Sequence, residues 1–266
     1  MSTVRTHCSV AADGTITFRL RPPADAPLRL LLVLRPKKGT PEETTHTLGL
    51  EARGDDGEFH AVLEPRPPLA EGRWDAYLLR GTDTGRERLR PGLRDLRELV
   101  DGGTRERTSP VAVRVPYATK DGFLAIRTWL RTAHAEAGPL DVDGRTMTVR
   151  ARLHGAGLSE GAELAVRPRG GEGAERTFPA RPASDGAFRA TVALAELAAG
   201  AAGTRFWDVF VRPGGGAPLI RVGRLLDDVA DRKGVFVYPR VTVDGSAIRP
   251  YFTVDNDLAV EVTAPR

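Results

Sequence analysis

One cysteine, Cys8, is all the chain contains, which excludes an intrachain disulfide and any metal cage built from several thiolates. No apolar run approaches the roughly 20 residues that a membrane helix requires, so no membrane span is expected. Met1-Ser2-Thr3-Val4-Arg5-Thr6-His7-Cys8 lacks the apolar centre of a secretory signal, and with the unpaired cysteine this predicts a cytoplasmic protein. A charge of one sign is missing too. Against 39 Lys and Arg stand 35 Asp and Glu, a net +4, and acids alternate with arginines nearly everywhere. Nucleic-acid binders gather their bases into a stripe, so nucleic acid is not an expected partner.

Familiar catalytic spacings are absent as well. The five histidines, at 7, 46, 60, 134 and 154, form neither HxH nor HExxH, so no metal site is expected from a local motif. There is no Walker lysine loop and no G-x-S-x-G elbow, and His154-Gly155-Ala156-Gly157-Leu158-Ser159-Glu160-Gly161 misses dinucleotide spacing. No cofactor is predicted, and catalytic residues cannot be named.

What is present is a repeat. Gly72-Arg73-Trp74-Asp75-Ala76-Tyr77-Leu78-Leu79 returns as Thr204-Arg205-Phe206-Trp207-Asp208-Val209-Phe210-Val211. Around it, Ile16-Thr17-Phe18-Arg19-Leu20 matches Met147-Thr148-Val149-Arg150-Ala151, Leu32-Val33-Leu34-Arg35-Pro36 matches Leu164-Ala165-Val166-Arg167-Pro168, and Arg90-Pro91-Gly92 matches Arg221-Val222-Gly223. The stretch from Pro116-Tyr117 to Ile126 is restated from Pro250-Tyr251 to Val260. With Gly57-Glu58-Phe59 answered by Gly186-Ala187-Phe188, offsets drift only between 129 and 134, as duplicated β-domains require when insertions fall in turns and strands keep register.

Strands are predicted at 15–20, 44–50, 58–63, 74–79, 111–115 and 122–129, the apolar run 28–35 between Pro27 and Pro36 suits a buried strand, and apolar residues at 93, 96, 99 and 100 predict a short helix. The expected fold is all-β: two tandem duplicated immunoglobulin-like β-sandwiches, 1–138 and 139–266, with at most a short helix in each. Residues 134–139 are expected to be the linker and the residues before Asp13 a tail.

Each candidate site has two readings. Trp74-Asp75 and Trp207-Asp208 would make a sugar platform if the indole faced solvent; strand alternation favours a core tryptophan with the aspartate on the opposite face. Tyr117-x-Thr119-x-Asp121 and Tyr251-x-Thr253-x-Asp255 either line a groove, with Lys120 in one copy only, or form the turn of a terminal hairpin, and the hairpin is favoured. Arg88, Arg90, Arg94 and Arg97, and Arg221, Arg224, Arg232 and Lys233, suit phosphate or carboxylate, but interleaved acids favour a salt-bridged, solvated face. Positions that differ between the copies, His60, Lys120, His134 and His154, are the polar candidates for a pocket.

The pattern Gly-x-Trp-Asp, then an arginine, then Tyr-x-Thr and alternating apolar residues resembles the non-catalytic β-sandwich domains at the C-terminal side of actinobacterial family 2 glycosyltransferases and wall teichoic acid-type glycerophosphotransferases. Gly72, Trp74, Asp75, Arg90, Tyr117, Thr119, Leu124 and Ile126 carry it in the first copy, and Trp207, Asp208, Arg221, Tyr251, Thr253, Leu258 and Val260 in the second. The resemblance implies immunoglobulin-like domains that oligomerise, or hold a polymer near a catalytic domain. A nucleotide-sugar-binding domain is not among these residues, and Asp141-Val142-Asp143 lies just after the expected linker, outside the usual setting of an Asp-x-Asp metal motif, so transferase activity is not expected to carry over. The function expected is a non-catalytic binding or assembly module for glycosyl or polyol-phosphate transfer. Its ligand is a glycan, polyol-phosphate or small molecule, and its partner a second copy or a glycosyltransferase. The alternative is a small transferase, cyclase or lyase of specialised metabolism with its pocket between the sandwiches.

Overall fold

The computed structural model describes all residues except 1–3, 24–26, 37, 38, 43, 55, 56, 82–84, 103–106, 172, 184, 185, 201 and 266. Among the described residues the protein is all-β, with two five-residue helices, and no helix is long and apolar enough to cross a membrane. The chain divides into two compact units: Met1–Arg105 with Ala112–Leu130 and Leu226–Ala230, and Glu106–Val111 with Arg131–Leu225 and Asp231–Arg266.

In the first unit, β1 (Arg5–Val10), β2 (Ile16–Leu20), β5 (Glu51–Arg53), β6 (Glu58–Leu63) and β9 (Arg90–Asp95) form one sheet in the order β5-β6-β2-β1-β9. The other sheet runs β10 (Val111–Ala118), β11 (Leu124–Arg131), β7 (Gly72–Arg80), β3 (Leu28–Leu34), β4 (Thr45–Gly49), with the two-residue β8 (Glu87–Arg88) beside β7. Period-two alternation places Ile16, Phe18 and Leu20 of β2 and Trp74, Ala76 and Leu78 of β7 inward, all buried. Burial also pushes the Cys8 thiol up to about 12, with Arg94 and Arg19 opposing, so it is a packing residue rather than a nucleophile.

The second unit repeats the plan. Strands β12 (His134–Val142), β13 (Thr146–His154), β16 (Arg181–Pro182), β17 (Ala187–Ala193) and β19 (Ile220–Gly223) stand in the order β16-β17-β13-β12-β19. Opposite them lie β14 (Glu163–Pro168), β15 (Arg176–Pro179), β18 (Thr204–Arg212), β20 (Val241–Val243), β21 (Ser246–Phe252) and β22 (Leu258–Thr263), in the order β15-β14-β18-β22-β21-β20. Here β19 pairs with both β12 and β18 and joins the sheets along one side. Met147, Val149 and Phe188 from one sheet and Leu164, Val166, Trp207 and Val209 from the other share a single core, as a sandwich requires.

Three sequence expectations are corrected. The expected tail contains β1, which pairs antiparallel with β2 and parallel with β9. The expected linker at 134–139 lies within β12, the same strand in the second copy, antiparallel to β13 and parallel to β19. A first strand that owes its place partly to a parallel partner far along the chain, as Arg5 does to Arg90 and Ala135 to Val222, has a weak local signature. The helical stripe from Leu93 to Val100 is strand β9 followed by α1 (Arg97–Asp101). Leu93 is 78% exposed and only Leu99 is buried, so the apolar spacing there marks no packed face. The second helix, α2 (Leu194–Ala198), buries Leu194, Leu197 and Ala198.

Trp74 and Trp207 are 2% and 1% exposed. Trp74→Ala and Trp207→Ala are each expected to cost about 3–5 kcal/mol, read as a lowered denaturant midpoint. A loss below about 1 kcal/mol, the range of surface substitutions, would return the indole to the surface.

Candidate functional site

Alternation that buries each tryptophan turns the next residue outward, and the aspartate there organises a cluster of arginines. On β7, Asp75 accepts a bidentate pair from Arg35, with Nε at 2.8 Å and Nη2 at 2.7 Å, and a third bond from Arg88 Nη2 at 3.3 Å. On β18, Asp208 accepts from Arg169, with Nη2 at 2.5 Å and Nε at 3.2 Å, while Arg221 Nη1 stands 3.7 Å away. These bonds hold both Arg35 and Arg169 above the ordinary guanidinium value. Burial of both indoles overturns the sugar-platform reading of Trp74 and Trp207, and their neighbours, the half-buried Asp75 and the buried Asp208, are anchors for guanidinium groups.

Register shows which arginines correspond. Arg35 lies one residue beyond Leu34, which faces Trp74, and Arg169 one beyond Pro168, which faces Trp207; the counterpart of Arg35 is thus Arg169, not the Arg167 that the sequence match selects. Likewise Arg88 faces Tyr77 and Arg221 faces Phe210, so Arg221 corresponds to Arg88 rather than to Arg90. Both slips are of two residues, which keeps the side chain on the same face. Arg90 instead lies 5.2 Å from the Phe123 ring, beneath which Arg88 approaches to 4.0 Å.

The groove reading of the tyrosine motifs gives way to the hairpin. Thr119 N–H donates to Phe123 O (2.8 Å), and its Oγ1 accepts the Phe123 N–H (3.1 Å). Thr253 repeats this with Asp257, at 2.8 and 3.2 Å. Gly122 and Asn256 take the left-handed position, at φ 76° and 60°, residues that tolerate it. Lys120, Asp121 and Asp255 are exposed at the hairpin tips. Tyr251 accepts a hydrogen bond at its hydroxyl from Arg169 Nη1 at 3.1 Å, whereas the buried Tyr117 hydroxyl has no partner.

The solvated-face reading holds for Arg97, which pairs with Asp95 at 2.6 Å on the surface, and fails for Arg232. Arg232 is fully buried, its guanidinium 4.5 Å from Phe236 and 5.5 Å from Phe252. Sequence reasoning missed Asp257, whose carboxylate meets Arg131 at 2.7 Å and Arg221 at 3.6 Å; burial pushes its pKa up and Arg131 opposes this. It also missed Arg35, Arg73, Arg127 and Arg169, because nothing local shows which arginines share a face.

Two of the candidate histidines are brought together. His134 and His154 are directly opposed across β12 and β13, and both are buried. His134 Nε2 lies 2.7 Å from Glu136, which also accepts the Leu225 N–H at 2.8 Å. Neither ring nitrogen of His154 has a hydrogen-bond partner. His60, in the other unit, stands 2.7 Å from Glu58. Among the described residues no group of three or more His, Cys, Asp or Glu side chains is arranged to hold a metal ion. A cleft of about 280 Å³ in the first unit is lined by Val4, Arg5, His7, Arg21 and Glu58 among others, but the Arg21–Glu58 pair at 3.2 Å already engages its charges.

No family model matches the chain, and no curated protein matches it. Among solved structures it is similar to a fragment of S. aureus TarS, 217–571, at 16% identity and TM-score 0.39, covering 64% of this chain and 50% of that one. It is also similar to S. aureus TarS over 71% of this chain and 34% of that one, at 15% identity and TM-score 0.33. The chain thus spans half or less of these proteins, and likeness at this level carries no functional argument.

Burial holds the His154 imidazole below its ordinary value of 6.5, and the neighbouring His134 acts in the same direction while Glu136 opposes. Between that lowered value and 6.5 the unfolded chain binds a proton that the native one refuses, so this contribution to stability is present above about pH 6.5 and lost as pH falls. The unfolding free energy from urea titration is expected to rise from about pH 5 to pH 7, by at most about 1.4 kcal/mol per pH unit from one site, and His154→Leu to flatten the slope. Parallel slopes would show that His154 does not titrate differently on folding.

Proposed function

We propose that the protein is a non-catalytic binding module for a hydroxyl-rich, phosphate-bearing polymer, a glycan or polyol-phosphate chain, serving glycosyl or polyol-phosphate transfer. The observation that supports this reading is the outer face of β18. Phe206, 37% exposed, meets Tyr251 edge-on at 6.1 Å and 71°, and Arg169 lies 5.5 Å from its ring. One turn of alternation further along, Asp208 presents a carboxylate held by two guanidiniums. An exposed ring beside a fixed carboxylate and guanidinium is the chemistry that recognises sugars and polyols: the ring packs on C–H faces, the carboxylate accepts from hydroxyls, and the guanidinium donates to oxygens. The tryptophan motif found in sequence positions this face from behind. Such a module acts by concentrating polymer near a transferring enzyme, which is its proposed partner, or by joining copies of itself.

Calorimetric titration of the purified chain with polyol-phosphate oligomers and neutral oligosaccharides is expected to show binding, with phosphate-bearing chains weakened between about 50 and 300 mM salt by screening. Phe206→Ala is expected to reduce affinity several-fold without lowering the denaturant midpoint. A full panel without binding by the wild type would overturn the reading.

A further inference from the structure

The two units use one scaffold but different charges at matching positions. Arg127 faces Arg73 across β11 and β7, where Glu261 faces Phe206 across β22 and β18. The hairpin turn places Phe123 where the second unit has Asp257, and Glu71, two residues before Arg73, corresponds to Thr204. On this outer face the first unit therefore sets Arg35, Arg73, Arg88 and Arg127 against Asp75 and Glu71. At the same positions the second unit has two arginines, Arg169 and Arg221, against Asp208, Asp257 and Glu261.

The fold does not require the first arrangement, since the second unit builds the same strands without it. Like charges directly opposite each other destabilise an antiparallel pair, and Arg127 bears this while only 4% exposed, its guanidinium 5.0 Å from the Trp129 ring. The Tyr117 hydroxyl and Arg88 Nε at the cluster are buried without a hydrogen-bond partner. In the second unit the matching hydroxyl, on Tyr251, is bonded by Arg169, and Glu261 is held by Arg249 at 2.5 Å and Arg240 at 3.1 Å. Two further acids of this unit pair outside the cluster, Glu42 with Arg86 and Glu87 with Arg80. The charged groups acting on the Tyr117 hydroxyl are Arg73, Arg35, Asp75 and Arg127, and burial holds that hydroxyl above the ordinary phenol value, so it is a donor at neutral pH.

We propose that Arg35, Arg73, Arg88 and Arg127, with the Tyr117 hydroxyl, form a binding site in the first unit for a phosphate-class oxyanion. The inference deepens the polymer-binding reading, and rests on it in taking the natural ligand to be a phosphodiester of that polymer. Asp75 fixes the forks of Arg35 and Arg88, leaving their remaining N–H groups to the ligand, and the planar guanidinium matches paired phosphate oxygens. Arg127 supplies charge from below, and Tyr117 supplies a neutral donor.

The test titrates the full chain at low salt with inorganic phosphate, glycerol phosphate, a polyol-phosphate oligomer and glycerol, by calorimetry and phosphorus NMR. Wild type is expected to bind the three phosphates and not glycerol. The double variant Arg73→Phe, Arg127→Glu installs the side chains that the second unit already folds with, and is expected to lose at least about tenfold in affinity, as charge-assisted bonds imply. Tyr117→Phe is expected to lose a few-fold, with circular dichroism and thermal midpoint reporting that both variants fold. If the double variant does not fold, Arg73→Lys with Arg127→Lys replaces it; this keeps the charge, removes the forks and is expected to weaken the phosphate esters several-fold. Wild type failing to bind any phosphate probe, or folded variants binding them all as wild type does, overturns the site. Oligomer binding unaffected by the substitutions removes the site but leaves the module standing on Phe206. Phosphate and glycerol phosphate bound at the site, with oligomer refused, keeps the site and removes the polymer reading.

Discussion

Strand alternation at the middle of each sandwich is the constraint on which the rest depends. In β7 and β18 one residue in two must fill the core, and a tryptophan does so with the largest side chain available. The backbone then presents Asp75 and Asp208 to the other side. A carboxylate drawn out of water there is costly unless cations meet it, and Arg35 with Arg88, or Arg169 with Arg221, do so from strands on either side or from the short segment alongside. The aspartate thus links core packing to the polarity of the outer face.

Duplication kept that link and released everything next to it. Positions beside the aspartate contribute nothing to the core, so their chemistry was free to diverge: Arg73 and Arg127 in one unit, Phe206 and Glu261 in the other. The tryptophan itself is retained in both copies, at 2% exposure or less. The divergence gives one unit an exposed ring on its face and the other a concentration of guanidinium groups.

Most strands were legible because each carries its own local pattern, a period of two or, in Leu28–Leu34, a short apolar run. Glu58–Leu63 coincides with its expected range, and Leu28–Leu34 and Thr45–Gly49 lie within one residue of theirs at each end. The strands that escaped, Arg5–Val10 and His134–Val142, are placed by partners, including a parallel neighbour far along the chain. The second carries Gly138 and Pro139 in its middle, and the first offers only Cys8 and Val10 as apolar positions, so neither has the apolar run that marks the other strands. The candidate sites fared unevenly for the same reason. Asp75, Asp208, Arg221, Tyr117 and Tyr251 stand in the clusters, while Lys120, Asp121 and Asp255 belong to turns and His60, His134 and His154 lie elsewhere.

Sequence by itself determined the duplication, the all-β class and the burial of each tryptophan with its aspartate outward, because these follow from periodicity and recurrence along one strand at a time. Only the tertiary structure decided which arginine meets which carboxylate. That choice is set by register between strands tens of residues apart, and a slip of two leaves the sequence pattern unchanged while bringing a different side chain to the same place. Arg35 and Arg169, Arg88 and Arg221, and the opposed Arg73 and Arg127 became pairs in that way.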